Sequence, residues 1–313
     1  MLDDLRLPLG DWVEAFVDFI TTYLTVVFDV IRTVFRALYE AVDWVLATPP
    51  WWSIVLVVAA LAVYARGWRF GGGTVVGLLL IVAVDQWDNA MDTLALTLVA
   101  AIIAVLISIP VGIWAARSTT VSAIVRPVLD FLQTMPAFVY LIPALILFRV
   151  GVVPGIVATI AFALAPGVRL TELGIRGVDK EVVEAGHAFG ATPRRILRQI
   201  QLPLALPSIM AGVNQVIMLS LSMVVIASMV GAPGLGRDII QSLNRIDVGL
   251  GFEAGLSVVV LAILLDRLTA TLGSGRRGFF ARRARRARTT GAPAGHDSAG
   301  TTSADTVPTT HSA

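Results

Sequence analysis

The sequence predicts an all-α integral membrane protein, a bundle of about seven transmembrane helices, on three observations. Apolar residues make up 56% of the 313 residues and charged residues 15%, with a mean hydropathy of +0.81, which is the balance of a polytopic membrane chain and not of a soluble domain. Apolar runs recur at about 51–65, 74–87, 91–115, 130–149, 152–168, 207–230 and 253–272. Each approaches the ~20 residues a span needs, the second being short. The arginines then fall after alternate runs, as the positive-inside rule requires of a chain that crosses repeatedly. With no cysteine, disulfides, thiolate catalysis and Cys-ligated zinc are excluded.

Residues 1–50 read as an amphipathic helical segment: Trp12, Phe16, Phe19, Ile20, Tyr23, Val27 and Val30 recur at helical spacing, interrupted by Asp18 and Asp29. It is expected to lie along the outer membrane face, a crossing helix being the competing reading. Asp3, Asp4 and Asp11 stand where a cleavable signal would carry its basic region. Pro49-Pro50 opens the membrane part, with Trp51-Trp52 placed as an aromatic belt. Residues 51–90 hold the first two runs, residues 91–272 the main bundle, and residues 273–313 a basic tail.

Orientation follows from the segments between runs. Arg66 and Arg69 follow the first run, Arg117 and Arg126 the third, and Arg169, Arg176, Arg194, Arg195 and Arg198 the fifth. Arg276, Arg277, Arg282, Arg283, Arg285, Arg286 and Arg288 follow the last, whereas Asp85, Asp88 and Asp92 flank the other side. The N-terminus is therefore expected outside and the C-terminus in the cytoplasm. The tail arginines would sit at anionic lipid headgroups, and residues 289–313 are too poor in apolar side chains to fold. Pro110, Pro136, Pro143, Pro154 and Pro166 interrupt the runs, where they bend helices or shape packing. Gly112, Ala158, Ala161, Ala165, Ala211 and Gly212 are small enough for close helix approach. Gly231-Ala-Pro-Gly234-Leu-Gly236 follows no strand and is expected to be a tight outer turn opening a short helix, not a phosphate nest.

Between the fifth and sixth runs lies a polar stretch with internal order, which the charge rule places in the cytoplasm. Asp179 is expected to cap a helix from Lys180 to about Phe189, and Gly190 to stop it. Thr192 should cap a second helix that Pro193 opens and Pro203 ends or kinks. Val182, Ala185, Gly186 and Phe189 share one face of the first helix, mixing tiny residues with bulky ones as a docking surface would. An amphipathic loop resting on the bilayer fits the same periodicity.

The spacing adds more. Glu184-Ala185-Gly186, three residues, Gly190, nine residues, then Ile200-x-Leu202-Pro203 resembles the EAA loop of ABC-importer permeases, with Gly186 where that family usually has Ala. The resemblance extends over residues 7 to about 272: Arg126-Pro-Val-Leu-Asp130, Gln133-Thr-Met135-Pro136-Ala-Phe138-Val-Tyr140, Pro207-Ser-Ile-Met210-Ala-Gly212 and Asp247-Val-Gly249-Leu-Gly251 are similar to the glycine betaine/proline, or quaternary-amine, subfamily.

The resemblance implies the type I importer transmembrane fold over 91–272 and an assembly of two permease chains as a homodimer, two ABC ATPase subunits and an extracytoplasmic substrate-binding protein. It implies that Glu184, Ala185, Gly186, Gly190, Ile200, Leu202 and Pro203 form the coupling helices that dock on the ATPase. Phe131, Phe138 and Tyr140 are candidate pathway contacts, with core packing as the alternative.

The chain has no Walker A sequence, so no cofactor is expected on it: ATP and magnesium would sit on the partner ATPase. Nucleic-acid binding is not expected. His187, His296 and His311 all lie outside the apolar runs, which leaves an intramembrane Ser/His or metal protease without its parts. Asp266 and Arg267 are expected to pair with each other or with a loop, and mid-membrane carboxylates are otherwise scarce, which weighs against ion coupling. An ATP-independent osmolyte carrier and an osmotically gated channel stand as the alternatives.

Overall fold

The structure is a computed structural model that describes residues 9–273, and every regular element within them is helical. The expectations for the basic tail and for the residues before Leu9 lie outside the described residues. The helices are α1 (Leu9–Tyr23), α2 (Thr25–Ala47), α3 (Trp51–Arg66), α4 (Trp68–Ala83), α5 (Trp87–Arg117), α6 (Thr119–Thr134), α7 (Leu141–Phe148), α8 (Val152–Arg176), α9 (Lys180–Ala188), α10 (Pro193–Ile196), α11 (Leu202–Ala227), α12 (Leu235–Arg245) and α13 (Val248–Gly273).

Four helical stretches are long and apolar enough to cross a membrane alone: α5, α8, the continuous piece Pro193–Val230 that contains α11, and α13 through Thr271. The count rises to six if each of two bent pairs makes one span, against the seven runs in the sequence. The difference has physical causes. The run 130–149 is not one helix, because α6 and α7 meet at 110° across Met135-Pro136. Pro136 offers no N–H, and its ring pushes Met135 into an extended conformation (φ −70°, ψ 133°) that no helix continues. The runs near 51–65 and 74–87 form α3 and α4 of 16 residues each, about 24 Å at 1.5 Å per residue and shorter than the ~30 Å of hydrocarbon.

In the N-terminal segment, α2 turns through 96° into α3 at Pro49-Pro50. Phe35, Tyr39, Val42 and Leu46 recur along one face of α2 and pack against the core built on α5, α8 and α11. The Tyr39 hydroxyl donates to Asp92 Oδ1 on α5 at 3.0 Å, while Val26, Val30, Val34 and Trp44 remain exposed.

The core is the close packing of α8 between α5 and α11. Lipid gives apolar helices no hydrophobic reason to associate, so they hold by contact, and small residues let backbones approach. A Cβ placed on Gly112 of α5 would lie 2.6 Å from Thr171 Cβ and 2.7 Å from the Val168 carbonyl oxygen of α8. One on Gly174 of α8 would lie 2.7 Å from Ser208 Cβ of α11. Gly212 faces Leu170 and Gly167, and Ala158 and Ala165 are buried as expected, whereas Ala211 is exposed in this chain.

Polar ties fix the ends of the bundle. Asp238 of α12 accepts from Gln86 Nε2 at 2.9 Å and from Asn89 Nδ2 at 2.8 Å, and Thr93 Oγ1 accepts the Leu235 N–H at 2.8 Å. These bonds seat the Gly231–Gly234 turn, which opens α12, on the start of α5. Asp266 pairs with Arg267 at 3.7 Å and also accepts from Asn214 of α11 at 3.0 Å, so the neighbouring helix, and not a loop, is its second partner.

Gly112→Leu should destabilise the bundle by about 1–3 kcal/mol, because the atoms facing it are backbone and Cβ and cannot step aside. Gly73→Ala, whose added methyl meets nothing within 4 Å, should be neutral or slightly stabilising. Thermal unfolding of both variants in detergent measures the difference.

Candidate functional site

The sequence-predicted loop folds as an elbow between α8 and α11. Asp179 caps α9: its Oδ1 accepts the Glu181 N–H at 2.9 Å, and Glu181 adds negative charge to the first turn. The far end closes as a Schellman motif, with the Ala191 N–H on the Gly186 carbonyl at 3.1 Å and the Gly190 N–H on that of His187 at 2.9 Å. This needs a left-handed residue at position 190, and Gly190 supplies it with φ +76°.

Thr192 occupies the N-cap of α10, and its carbonyl accepts from Arg195 and Ile196 at 2.8 and 3.0 Å. Its side chain makes no capping hydrogen bond, contrary to expectation. Pro203 does not end the second helix. A π turn over Leu197–Gln201 precedes it, the Leu202 N–H reaching back to the Leu197 carbonyl, and the chain runs on into α11 without a break. Pro203 thus follows directly on the π turn, where the regular ladder is already shifted and its missing N–H is accommodated.

The predicted residues separate into two sets. Gly186 is buried, because Ile196 and Ile200 cover it: a Cβ there would lie 2.8 Å from Ile200 Cδ1. Ile200 and Leu202 are half-buried, and Leu202 joins Leu197, Ile175, Ala205 and Ile209 in a cluster that also takes in Ile109, Ile113 and Ala116 of α5. These residues anchor the elbow to α5, α8 and α11. Glu184, Ala185, Gly190 and Pro203 are exposed. So are Val182 and Phe189, the latter at 92%, the most exposed large apolar side chain among the described residues. The four residues expected on one face therefore divide, with Gly186 turned inward and the others outward.

Glu184, Lys180, Val183 and His187 also line a cleft of about 500 Å³ against Arg176, Ala116 and Gln201. The elbow thus carries an exposed apolar knob and a carboxylate beside a cleft on an anchored base. Neither a nucleophile–base pair nor a metal cage is assembled there.

The candidate pathway residues differ in burial. Tyr140 is buried, donates to the Leu132 carbonyl and meets Phe162 edge-on at 6.0 Å. Phe131 and Phe138 are exposed, at 64% and 53%.

Sequence reasoning missed the polar cluster behind the elbow, where Glu172 of α8 gathers Ser122 and Arg126 of α6 and Arg176. The signal available was the Glu172/Arg176 spacing of i, i+4 beside a helix end. The two basic residues had been read only as markers of membrane side.

Comparison with known proteins gives these features a family. Residues 108–278 match the family model described as binding-protein-dependent transport system inner membrane component. The glycine betaine/carnitine transport permease protein GbuB of Listeria monocytogenes is 49% identical over 84% of this chain and 94% of its own length. The glycine betaine transport system permease protein OpuAB of Bacillus subtilis is 45% identical over 85% and 95%, and the glycine betaine/proline betaine permease ProW of Escherichia coli is 46% identical over 85% and 75%. Among solved structures, the MetNI methionine ABC transporter in an inward-facing form superposes with a TM-score of 0.55 over 60% of this chain and 94% of that one, at 23% identity, which speaks to the fold. The type I importer fold is thus present, and the family and relatives make the chain a transport component, not an enzyme. The chain belongs to the family of binding-protein-dependent transport system inner membrane components.

Proposed function

We propose that this chain imports a quaternary-amine osmolyte, glycine betaine first among the candidates, as the permease subunit of an ATP-driven transporter. The observation that carries the ATP-driven part is the anchored elbow with Phe189 and Glu184 presented outward. The substrate class rests on the names borne by relatives 45–49% identical over most of the chain.

Two copies of the chain form the pathway, with lipid around them, the elbow and the C-terminus in the cytoplasm and the N-terminus outside. ATP and magnesium bind the separate ATPase. The positive-inside pattern of the arginines supports this orientation. On ATP binding the ATPase subunits close and draw the elbows together. Because α10, the π turn and α11 are continuous, that displacement enters the bundle directly and exchanges an inward-open packing for an outward-open one. The binding protein delivers substrate from outside, and hydrolysis resets the bundle. Phe131 and Phe138, exposed on a single chain, are proposed as pathway or dimer contacts.

Phe189→Ala leaves the isolated chain unperturbed, since the ring touches little of it, but should weaken ATPase association by about 2–3 kcal/mol, or 30- to 150-fold, measured by co-purification or surface binding. Glu184→Ala and Gly190→Val should each lower uptake and substrate-stimulated ATP hydrolysis at least tenfold while membrane insertion persists, the valine because it cannot hold φ +76° without strain. Radiolabelled glycine betaine uptake into vesicles holding the reconstituted complex should require ATP. Uptake driven by an ion gradient without nucleotide would overturn the proposal.

A further inference from the structure

Glu172 is a buried carboxylate at the end of a membrane helix, 4% exposed, and it sits where three helices meet. Its Oε1 accepts from Ser122 Oγ at 2.7 Å and pairs with Arg126 Nη2 at 3.0 Å, both on α6. The same oxygen takes Arg176 Nε, one turn along α8, at 3.0 Å. Arg176 in turn donates through Nη2 to the Ala115 carbonyl of α5 at 2.8 Å. A second pair, Arg169 with Asp130, joins α8 to α6 one turn away. One carboxylate thus ties the ends of α5, α6 and α8 together.

The apolar packing of α6 makes this tie matter. Its apolar contact with the bundle is a single stripe: Leu129 is buried with Ala165 and Val168, Val125 packs beside them and Leu132 against the main core, while Ile124, Val128 and Phe131 face outward. A helix held along one stripe depends on its polar ties to follow its neighbours. α6 also leads into the Met135-Pro136 bend and the segment bearing Phe138. On the other side, Arg176 is three residues before Asp179, the cap of α9, and it lines the cleft beneath α9 with Glu184 and His187. Arg176 therefore belongs to the clamp and borders the cleft under the elbow.

We propose that Glu172 is a positioning residue for transport: by clamping α6 to α5 and α8, it makes movement of the elbow reach α6 and the bend beyond it. This rests on the reading of α9 as the docking helix. Without the negative charge, Arg126 and Arg176 would face each other across one site and repel. The elbow would still engage the ATPase, but α6 would lag behind α8.

The test uses the complete complex of permease, ATPase and binding protein in vesicles, with uptake and ATP hydrolysis measured together. In Glu172→Gln, which keeps the shape and an acceptor for Ser122, ATPase association should stay within twofold of wild type and hydrolysis within threefold, while uptake per ATP hydrolysed falls at least tenfold. Arg126→Ala, altered at a largely exposed side chain that the fold can spare, should show the same split. Because the chain has no cysteine, Arg126→Cys with Glu172→Cys can be bridged by a short thiol cross-linker, and the bridge should restore at least half of the lost ratio.

A wild-type ratio in both Glu172→Gln and Arg126→Ala would overturn the proposal. So would a parallel loss of hydrolysis and uptake that the cross-link does not relieve, since that marks a merely structural ion pair. If Phe189→Ala binds ATPase normally, the docking reading falls, and the proposal with it, an outcome distinct from either.

Discussion

The contact on which the structure depends is the approach of α8 to α5 and α11 at positions with almost no side chain. Gly112 and Gly174 bring backbones close enough that neighbouring carbonyls and β-carbons leave no room for a methyl group, and Gly212 lies nearly as close to Leu170. In an apolar solvent, where burying one hydrocarbon surface against another gains little, such contact is what distinguishes a packed bundle from separate helices. It also sets the geometry of everything attached. The elbow hangs from the ends of α8 and α11, so the distance between those two helices fixes where α9 lies.

Held in this way, the elbow divides its residues by task. Gly186 and Ile200 face each other inside it, and Leu197 and Leu202 root it in the cluster with Ile175 and Ile209. Phe189 and Glu184 carry none of that load and are exposed, Glu184 at the edge of the cleft. Having no side chain, Gly186 leaves Ile200 room to close over the helix. The loss of intrinsic helix propensity, about 1 kcal/mol against alanine, is borne within a segment capped at both ends.

Much of this was legible in the sequence because it is local. Caps, stops and apolar runs are properties of a few adjacent residues, so Asp179, Gly190 and the long spans α5, α8 and α13 could be read directly. The misreadings have one origin. Hydrophobicity around 130–149 is continuous, yet the backbone turns through 110° there, since a run records what a segment is made of and not its direction. Pro203 has the composition of a helix end, but the π turn just before it moved the break in the hydrogen-bond ladder to where proline is harmless. Glu172, Arg126 and Ser122 are 46 and 50 residues apart along the chain, and Tyr39 and Asp92 are 53 apart. No spacing rule couples such pairs. Only the folded arrangement reveals that arginines which announce a membrane side also neutralise a buried acid.

The unbroken helical piece from Pro193 to Val230 has a mechanical meaning. Thirty-eight residues at 1.5 Å each make a rod of about 57 Å, nearly twice the ~30 Å hydrocarbon thickness. One end is part of the elbow, and at the other the Val230 carbonyl accepts the Gly151 N–H at 3.1 Å, just before α8 begins. A stiff beam pivoting within the bilayer swings its two tips in opposite senses. In the proposed dimer, drawing two elbows together on one side would part the far tips on the other, so that a single lever would close one mouth of the passage as it opened the opposite one.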